Sequence, residues 1–238
     1  MMRLRTIGLA LVAVFAMSAV AASAASAVPP SWGACAAGTP ETKPPCLNSS
    51  EKLVELTSAL AVKSKGTLSL TDTKVPLVGS VTVKCTGTDA GTIGPEKADS
   101  ITEIYETSGS KKIKCTSSQC TGTPEAEAVH LPWTTELVEV TNKKGEKEIR
   151  DLIKNSGAGV PGWAVKCTIL GVTKTDECTA ASSTKTTNTA SGNVAAEFEK
   201  ESPKANCSLG GTGSGEVNGT DTIEHPTSGT GATGIGVL

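Results

Sequence analysis

The cysteines constrain this chain more than any other feature of its sequence. There are eight of them, an even number, and no two are separated by only two residues. The histidines, His130 and His225, have no ligand-like spacing to them. Because thiolate metal sites use short, regular Cys and His spacings, the pattern favours disulfide bonds over a metal centre. The candidate disulfide cysteines are Cys35, Cys46, Cys85, Cys115, Cys120, Cys167, Cys178 and Cys207.

Disulfides require an oxidising compartment, and the start of the chain predicts export to one. Arg3 and Arg5 precede an apolar run over 7–17, and two alternative A-x-A cleavage sites follow, at 22–24 and at 25–27. This organisation predicts a secretory signal peptide over 1–27. The apolar run is shorter than the roughly 20 residues that cross a bilayer. We therefore expect a secreted, extracellular protein with no membrane span.

Sequence separation alone leaves the disulfide pairing open. Two pairs, Cys35–Cys46 and Cys167–Cys178, have the same separation of 11 and are predicted to close local loops. For the other four cysteines we weigh two of the three possible arrangements. In the first, Cys115 pairs with Cys120 and Cys85 pairs with Cys207. In the second, Cys85 pairs with Cys115 and Cys120 pairs with Cys207.

Apolar residues alternate with polar ones in several short segments, which is the pattern of half-buried strands. The clearest case is 163–169, where every second residue is apolar. The segments 67–71, 81–85 and 193–199 alternate in the same way. A polar loop over 142–146 contains Asn and Gly between two further strand-like segments, which predicts a hairpin. These patterns predict an all-β fold.

Clusters of Gly, Ser, Thr, Asn and Pro separate these segments at short intervals, as in sandwiches and barrels. We predict an antiparallel β-sandwich or barrel-like domain with long Gly/Ser/Thr-rich loops, stapled by disulfides. Residues 28–238 are expected to form a single secreted β domain, and a minor boundary within the linker-like stretch 180–192 is the alternative. For segment 49–60 a helix with an N-terminal cap is an alternative prediction, although the β-branched residues Val54 and Thr57 weaken it.

Charge and motifs exclude several functional classes. The net charge of −2 and the pI near 5.8 exclude a dedicated nucleic-acid binder, which needs a basic surface. The sequence contains no G-x-S-x-G, P-loop, H-E-x-x-H or EF-hand pattern, and we predict no cofactor and no metal. A Ser-His-Asp site would have to use His130 or His225, which we interpret as strand-edge residues. A carboxylate pair such as Asp99 and Glu103 leaves glycoside hydrolysis open.

Aromatic side chains make up only 3% of the chain. A ring buries far more surface than the Val and Ala around it, so we expect each of these residues to anchor a core. Those that follow residue 27 are Trp32, Tyr105, Trp133, Trp163 and Phe198. For Trp133, which lies between Pro132 and Thr134, an exposed ligand contact is the alternative. Two lysine groups form a solvated strand face and a hairpin tip or, alternatively, contact an anionic polymer: Lys111, Lys112 and Lys114, and Lys143, Lys144 and Lys147.

Several motifs resemble segments of uncharacterised secreted proteins of actinobacteria. They are V-K-C-T-G at 83–87, H-L-P-W at 130–133, P-G-W-A-V-K-C at 161–167 and N-C-S-L-G-G at 206–211. The resemblance implies a bacterial secreted origin, and that family brings no established activity, ligand or catalytic residue. We expect a non-enzymatic β module with a binding or structural role at the cell exterior, its partner being a cell-surface polymer or an extracellular protein. The alternative is a secreted hydrolase with an unrecognised active site.

Overall fold

The computed structural model describes residues 28–38, 44–46, 50–95, 99–199, 204–224 and 233–238, and the predicted signal peptide lies outside these ranges. Within them the chain forms sixteen strands and no helix, and the strands pair antiparallel, which confirms the predicted fold class. The strands are β1 (Trp32–Ala37), β2 (Glu51–Glu55), β3 (Leu60–Val75), β4 (Gly79–Ile93), β5 (Ser100–Tyr105), β6 (Ile113–Thr116), β7 (Glu125–Val129), β8 (Trp133–Thr141), β9 (Lys147–Lys154), β10 (Gly162–Ile169), β11 (Val172–Thr179), β12 (Ser182–Asn188), β13 (Val194–Phe198), β14 (Ala205–Cys207), β15 (Gly211–Glu224) and β16 (Ile235–Val237).

Three long strands, β3, β4 and β15, run side by side through the molecule. β3 pairs with β4 on one side and with β15 on the other. Leu70, for example, lies opposite Val83 of β4 and Val217 of β15. Because directly opposite residues point to the same face, the three strands present one continuous inner face along their whole length.

The remaining strands of the large sheet close this three-stranded unit into two barrels. At one end the order β15-β3-β4-β5-β8-β9-β12-β13 returns to β15, which makes a circuit of eight strands that we call barrel A. At the other end the order β4-β3-β15-β14-β11-β10-β7-β6 returns to β4 and makes a second circuit of eight, barrel B. The predicted barrel-like architecture is therefore present twice, with three strands in common. The linker-like stretch 180–192 contains β12, a strand of barrel A.

Two glycines allow the strands of barrel A to approach closely and bend. A Cβ atom on Gly66 would lie 2.4 Å from the carbonyl oxygen of Thr220 on the neighbouring strand. A Cβ atom on Gly91 would lie 2.0 Å from the carbonyl oxygen of Ser100, where the β4–β5 register shifts by one residue. Closed barrels need such glycine kinks and bulges to curve the sheet.

A small sheet of three strands, in the order β16-β1-β2, covers one end of barrel A, and we call it the cap. Trp32, Ile235 and Val237 of the cap pack against Val194 and Leu137 of the barrel. Asn188 of barrel A accepts a hydrogen bond from the backbone N–H of Val237 at 2.7 Å and donates one to its carbonyl oxygen at 3.0 Å. β2 pairs with β1 in the cap, so the helix alternative for 49–60 is wrong.

The structure contains four disulfides, Cys35–Cys46, Cys85–Cys115, Cys120–Cys167 and Cys178–Cys207, and no cysteine is free. The pairs Cys35–Cys46 and Cys85–Cys115 were among the predicted alternatives. The predicted local pair Cys167–Cys178 is wrong. β10 and β11 form a tight hairpin in which Cys167 lies opposite Lys174 and Cys178 lies opposite Trp163, so register keeps the two sulfurs apart. The pairings Cys115–Cys120, Cys85–Cys207 and Cys120–Cys207 are wrong as well.

Candidate functional site

Barrel A encloses a cavity of about 100 Å³, which we call cavity A. Its wall is mostly apolar and includes four aromatic side chains: Trp32 from the cap, Trp133 and Phe198 from barrel A, and Trp163 from barrel B. Only five aromatic residues follow residue 27 in the sequence, so four of the five converge on this one space. The scarce rings of the chain are therefore concentrated around cavity A.

Three aspartates on three different strands also line cavity A: Asp89 on β4, Asp151 on β9 and Asp221 on β15. Each occupies a position that the strand alternation turns inward. Asp151, for example, lies between Ile149 and Ile153 on the inner face of β9. Among the lining residues that the structure describes there is no Lys, Arg or His. Cavity A thus gathers carboxyl groups with no basic side chain to neutralise them.

Asp89 and Asp221 form one carboxyl pair in the wall of cavity A. The two side chains are hydrogen-bonded to each other, an arrangement that favours a proton shared between them. The hydroxyl of Ser64 donates to Oδ2 of Asp221 at 2.6 Å. Burial, and then the negative charge of Asp221, raises the pKa of Asp89 well above its usual range. Burial also raises the pKa of Asp221.

Asp99 connects the cap to barrel A. Its Oδ2 accepts a hydrogen bond from Nε1 of Trp32 at 2.6 Å, and its Oδ1 accepts one from the backbone N–H of Gly94 at 2.7 Å. Burial raises the pKa of Asp99 to about 6, although both hydrogen bonds favour its ionised form. The carboxyl is only 4% exposed, so the Trp32 indole is tied to a buried acid.

Asp151 is the least satisfied carboxyl in the wall of cavity A. The residue is 9% exposed and is hydrogen-bonded to the side chain of Thr135 and the backbone of Glu136. Its other oxygen, Oδ1, is buried without a hydrogen-bond partner among the described residues. Burial, and then the negative charge of Asp99, raises the pKa of Asp151 to about 7. A buried oxygen with an unmet acceptor is costly and calls for a physical reason.

Barrel B encloses a second cavity, of about 90 Å³, which we call cavity B. Asp72 and Asp176 line it together with Lys174, so basic and acidic groups face the same space. Oδ1 of Asp72 accepts a hydrogen bond from the backbone N–H of Lys74 at 3.0 Å, and the Asp72 side chain also interacts with that of Asp176, whose pKa is raised by burial and then by Asp72. Asp176 also lies beside the sulfurs of Cys178 and Cys207, but those sulfurs form a disulfide and are not thiolate ligands.

An open cleft of about 830 Å³ lies on the outer surface of barrel A, beside the predicted 142–146 hairpin, and we call it the outer cleft. Arg150 is paired with Glu148 at 2.6 Å and with Glu199, and Lys185 lies 3.9 Å from Glu148. Basic and acidic side chains are equal in number along its wall: Lys143, Lys144, Arg150 and Lys185 against Glu146, Glu148, Glu197 and Glu199. The formal charges along the wall of the outer cleft therefore balance.

Trp133 does not lie on the surface, so its alternative interpretation as an exposed ligand contact is wrong. The residue is 4% exposed, and its Nε1 donates to the carbonyl oxygen of Val129 at 2.8 Å. Its ring packs edge to face on Trp163, with the ring centroids 5.9 Å apart. Both rings line cavity A and cavity B, which places them in the wall between the two barrels.

The residues predicted for hydrolase chemistry do not come together. Asp99 is buried beneath the cap, whereas Glu103 is exposed on β5. Nδ1 of His130 lies 2.6 Å from the carbonyl oxygen of Val160, so that nitrogen is held by the backbone. His225 lies outside the described residues. Lys147 of the hairpin lysine group forms an exposed ion pair with Glu139 at 2.7 Å.

The aspartates of cavity A were not predicted as site residues, although the alternation of the sequence places them at inward-facing strand positions. Asp89 lies an even number of residues from Val83, Cys85 and Ile93, so it shares their inward-facing side of β4. Asp151 likewise shares the inward-facing side of β9 with the isoleucines two residues before and after it. A carboxylate at an inward position of an alternating segment is a detectable signal, because that position normally carries an apolar residue. Sequence could not show that these positions meet, since β4, β9 and β15 are far apart along the chain.

No family model, curated protein or solved structure matches the chain. Within the described ranges, no helix has the length and apolar composition that crossing a membrane requires. We therefore infer the function from the geometry of the cavities.

Proposed function

We propose that this chain is a secreted, non-enzymatic binding module that holds a small ligand inside barrel A. The observation that carries the proposal is cavity A itself, which is apolar, ringed by aromatic side chains and supplied with a few convergent polar groups. Small-molecule sites have this composition. Four disulfides support a role in an oxidising, extracellular compartment.

A binding role explains two features that stability alone does not favour. An empty space in a core removes packing contacts, and a buried carboxyl without a full set of partners adds a desolvation cost. Both features occur at the same place, because Asp151 lines cavity A and leaves Oδ1 without a described partner. Sites of function are where proteins tolerate such local costs.

The size of cavity A argues against the hydrolase alternative at this position. An engineered cavity of about 150 Å³ holds a benzene molecule, and cavity A is smaller, at about 100 Å³. A peptide or glycoside substrate needs room on both sides of its scissile bond. The paired carboxyls of Asp89 and Asp221 therefore face a space that admits only a molecule of a few heavy atoms.

The outer surface offers less support for a charged polymer as the partner. The outer cleft is large enough for a ligand, but its basic and acidic side chains are equal in number, and Arg150 and Lys185 are already paired with Glu148 and Glu199. An anionic polymer would have to break these pairs before it gained new ones. The inner cavity is the better candidate.

The test is whether small molecules enter barrel A and whether filling cavity A excludes them. Backbone amide NMR shifts of the oxidised protein are recorded with xenon and with small neutral and charged organic probes. We expect saturable shifts at Thr135, Ile153 and Thr184. Ala196→Leu, which adds bulk to the wall of cavity A, abolishes them, whereas Ala205→Leu in the wall of cavity B leaves them unchanged. If no probe shifts these amides in the folded wild type, the proposal is wrong.

A further inference from the structure

We propose that the ligand of cavity A is a small organic ammonium ion, such as a methylated amine. This inference rests on the proposed binding function and specifies its ligand class. It follows from three properties of the cavity wall: the sign of its charge, the number of its aromatic rings and the position of one unpartnered oxygen atom.

The sign of the charge is set by the aspartates. Asp89, Asp151 and Asp221 line cavity A, and Asp99 lies just behind the wall and acts on Asp151 electrostatically. No basic side chain lies among the described lining residues. A cation placed in this space gains attraction from several carboxyls at once, in surroundings that screen charge poorly. An anion would meet only repulsion.

The aromatic rings favour an organic cation over a bare metal ion. Trp32, Trp133, Trp163 and Phe198 all contribute to the wall. Indole and phenyl faces attract cations, and rings assembled around one space are the usual means of recognising methylated ammonium groups. Calcium and magnesium instead need six or more oxygen ligands at short range, and a predominantly apolar wall does not supply them. Methyl groups would also fill apolar space that a hydrated ion leaves unused.

Asp151 supplies the atom that would anchor the ligand. Its Oδ1 is the one side-chain oxygen of the cavity A wall that is buried without a partner among the described residues. A protonated amine donates a hydrogen bond to such an oxygen, and a quaternary ammonium ion neutralises it by contact. Thr135 and the backbone of Glu136 hold the rest of the carboxyl group in place, so Oδ1 is oriented before a ligand arrives.

Cavity B lacks this combination. Asp72 and Asp176 line cavity B, but they interact with each other, and Lys174 faces the same space and supplies a positive charge of the protein's own. A ligand cation in cavity B would compete with that lysine and be repelled by it. The two barrels therefore differ in their expected ligand preference, and barrel B provides a control within the same chain.

The experiment compares tetramethylammonium with tert-butyl alcohol, which is neutral and of nearly the same shape. Binding is measured at pH 8 by titration calorimetry and by amide NMR shifts of Thr135 and Thr184, at constant ionic strength set with potassium chloride. We expect saturable binding of tetramethylammonium and binding of tert-butyl alcohol that is at least about tenfold weaker. Potassium at the same concentration leaves the amides unshifted.

The variants Asp151→Asn and Asp176→Asn test whether the carboxyl group of Asp151 anchors the ligand. Asp151→Asn keeps the shape of the side chain but removes its charge, and we expect it to weaken tetramethylammonium by about tenfold or more. Asp176→Asn removes a carboxyl of cavity B, and its effect stays within about twofold because the two sites are separate. Circular dichroism confirms that both variants are folded before they are titrated.

The outcomes separate this inference from the proposed function. If tert-butyl alcohol binds as well as tetramethylammonium, or if Asp151→Asn leaves tetramethylammonium binding unchanged, the ligand class is wrong while a small-molecule cavity stands. If tetramethylammonium fails to bind but xenon or the neutral probes shift the cavity A amides, the same conclusion holds. If no probe of either kind enters barrel A, both the ligand class and the proposed function are wrong.

Discussion

Barrel A and barrel B share β3, β4 and β15, yet they are held together differently. Barrel B contains three of the four disulfides, and its interior carries Val81, Val83 and Ile113. Barrel A has no disulfide between its strands and is closed at one end by the cap. Its interior carries the buried carboxyls of cavity A. The same strands thus serve a barrel cross-linked by three disulfides at one end and, at the other, a barrel without disulfides that is lined by three aspartates.

This difference shows how one chain can combine a stable part with a costly binding site. Each disulfide typically contributes about 2–4 kcal/mol by restricting the unfolded chain. Buried carboxyls work in the opposite direction whenever they must ionise, because the charged form is poorly solvated. Along the inner face of β3, Ser64 and Leu68 line cavity A, Leu70 lines both cavities and Val75 lines cavity B.

The largest effect is expected where the two barrels meet. Trp133→Ala removes a ring that is 4% exposed, bonded through Nε1 and in the wall of both cavities. Truncating such a ring typically costs about 3–5 kcal/mol. Thermal unfolding under oxidising conditions should show a larger loss for Trp133→Ala than for Trp163→Ala, because Trp163 is only partly buried. A smaller loss of stability for Trp133→Ala than for Trp163→Ala would contradict the position of Trp133 in the wall that the two barrels share.

The burial of one of these two tryptophans could be predicted from the sequence, and the burial of the other could not. The alternation in 163–169 indicated correctly that Trp163 faces a core, and the same rule identified the strands at 67–71 and 81–85. For Trp133 an exposed ring was the alternative prediction, because the next two residues, Thr134 and Thr135, are polar. In the structure Thr135 points inward to bond Asp151, so a polar neighbour did not mean a solvent-facing strand.

Removing one disulfide should weaken barrel B selectively. The double variant Cys120→Ser/Cys167→Ser opens a link that spans 47 residues, and we expect a loss of about 2–4 kcal/mol. Amide hydrogen exchange should accelerate in β10 and β7 more than in β9 and β12. The matched control is Cys35→Ser/Cys46→Ser, which opens a link of 11 residues beside the cap and leaves β10 protected. Equal acceleration in all four strands would mean that the barrels do not unfold separately.

Neutralising one carboxyl should strengthen barrel A at alkaline pH. The pKa of Asp151 is raised to about 7, so the folded state holds its proton more tightly than the unfolded chain. This contribution to stability is present below pH 4 and is lost as the pH rises through about 7. Asp151→Asn should therefore stabilise the unliganded protein at pH 8 by on the order of 2 kcal/mol and have little effect at pH 4. Denaturant unfolding at the two pH values measures both quantities, and a destabilised variant at pH 8 would contradict the raised pKa.

The smallest effect concerns a turn of barrel B. Leu77 follows Pro76 between β3 and β4, is 95% exposed and has a φ of 72°. Proline followed by a residue with positive φ is the pattern of a type II turn. Glycine is preferred at the third residue of such a turn, which is the position of Leu77. Leu77→Gly should raise the unfolding free energy by about 0.5–1 kcal/mol. Val78→Gly, one residue later, loses packing on the core and should be destabilising.

Much of the architecture was predictable, and the site was not. Strand identity follows from local alternation, and the even cysteine count predicted full disulfide pairing. The closure of two barrels depends on pairings such as β13–β15 and β4–β6, which join segments distant in sequence. Cys120–Cys167 spans 47 residues for the same reason. Cavity A is formed by residues of the cap and of both barrels, so only the assembled topology brings its aspartates together.

We infer that protons on buried aspartates stabilise barrel A, whereas barrel B, which also contains Asp72 and Asp176, is stabilised mainly by its three disulfides. The most direct test is amide hydrogen exchange of the unliganded, oxidised protein at pH 5 and pH 8, corrected for the intrinsic dependence of exchange on pH. Asp99, with a pKa of about 6, and Asp151, with a pKa of about 7, ionise across this interval. We expect protection in β9 and β12 to fall from pH 5 to pH 8 while protection in β7 and β10 stays constant. A parallel change in the two barrels, or higher protection of β9 at pH 8, would contradict the claim.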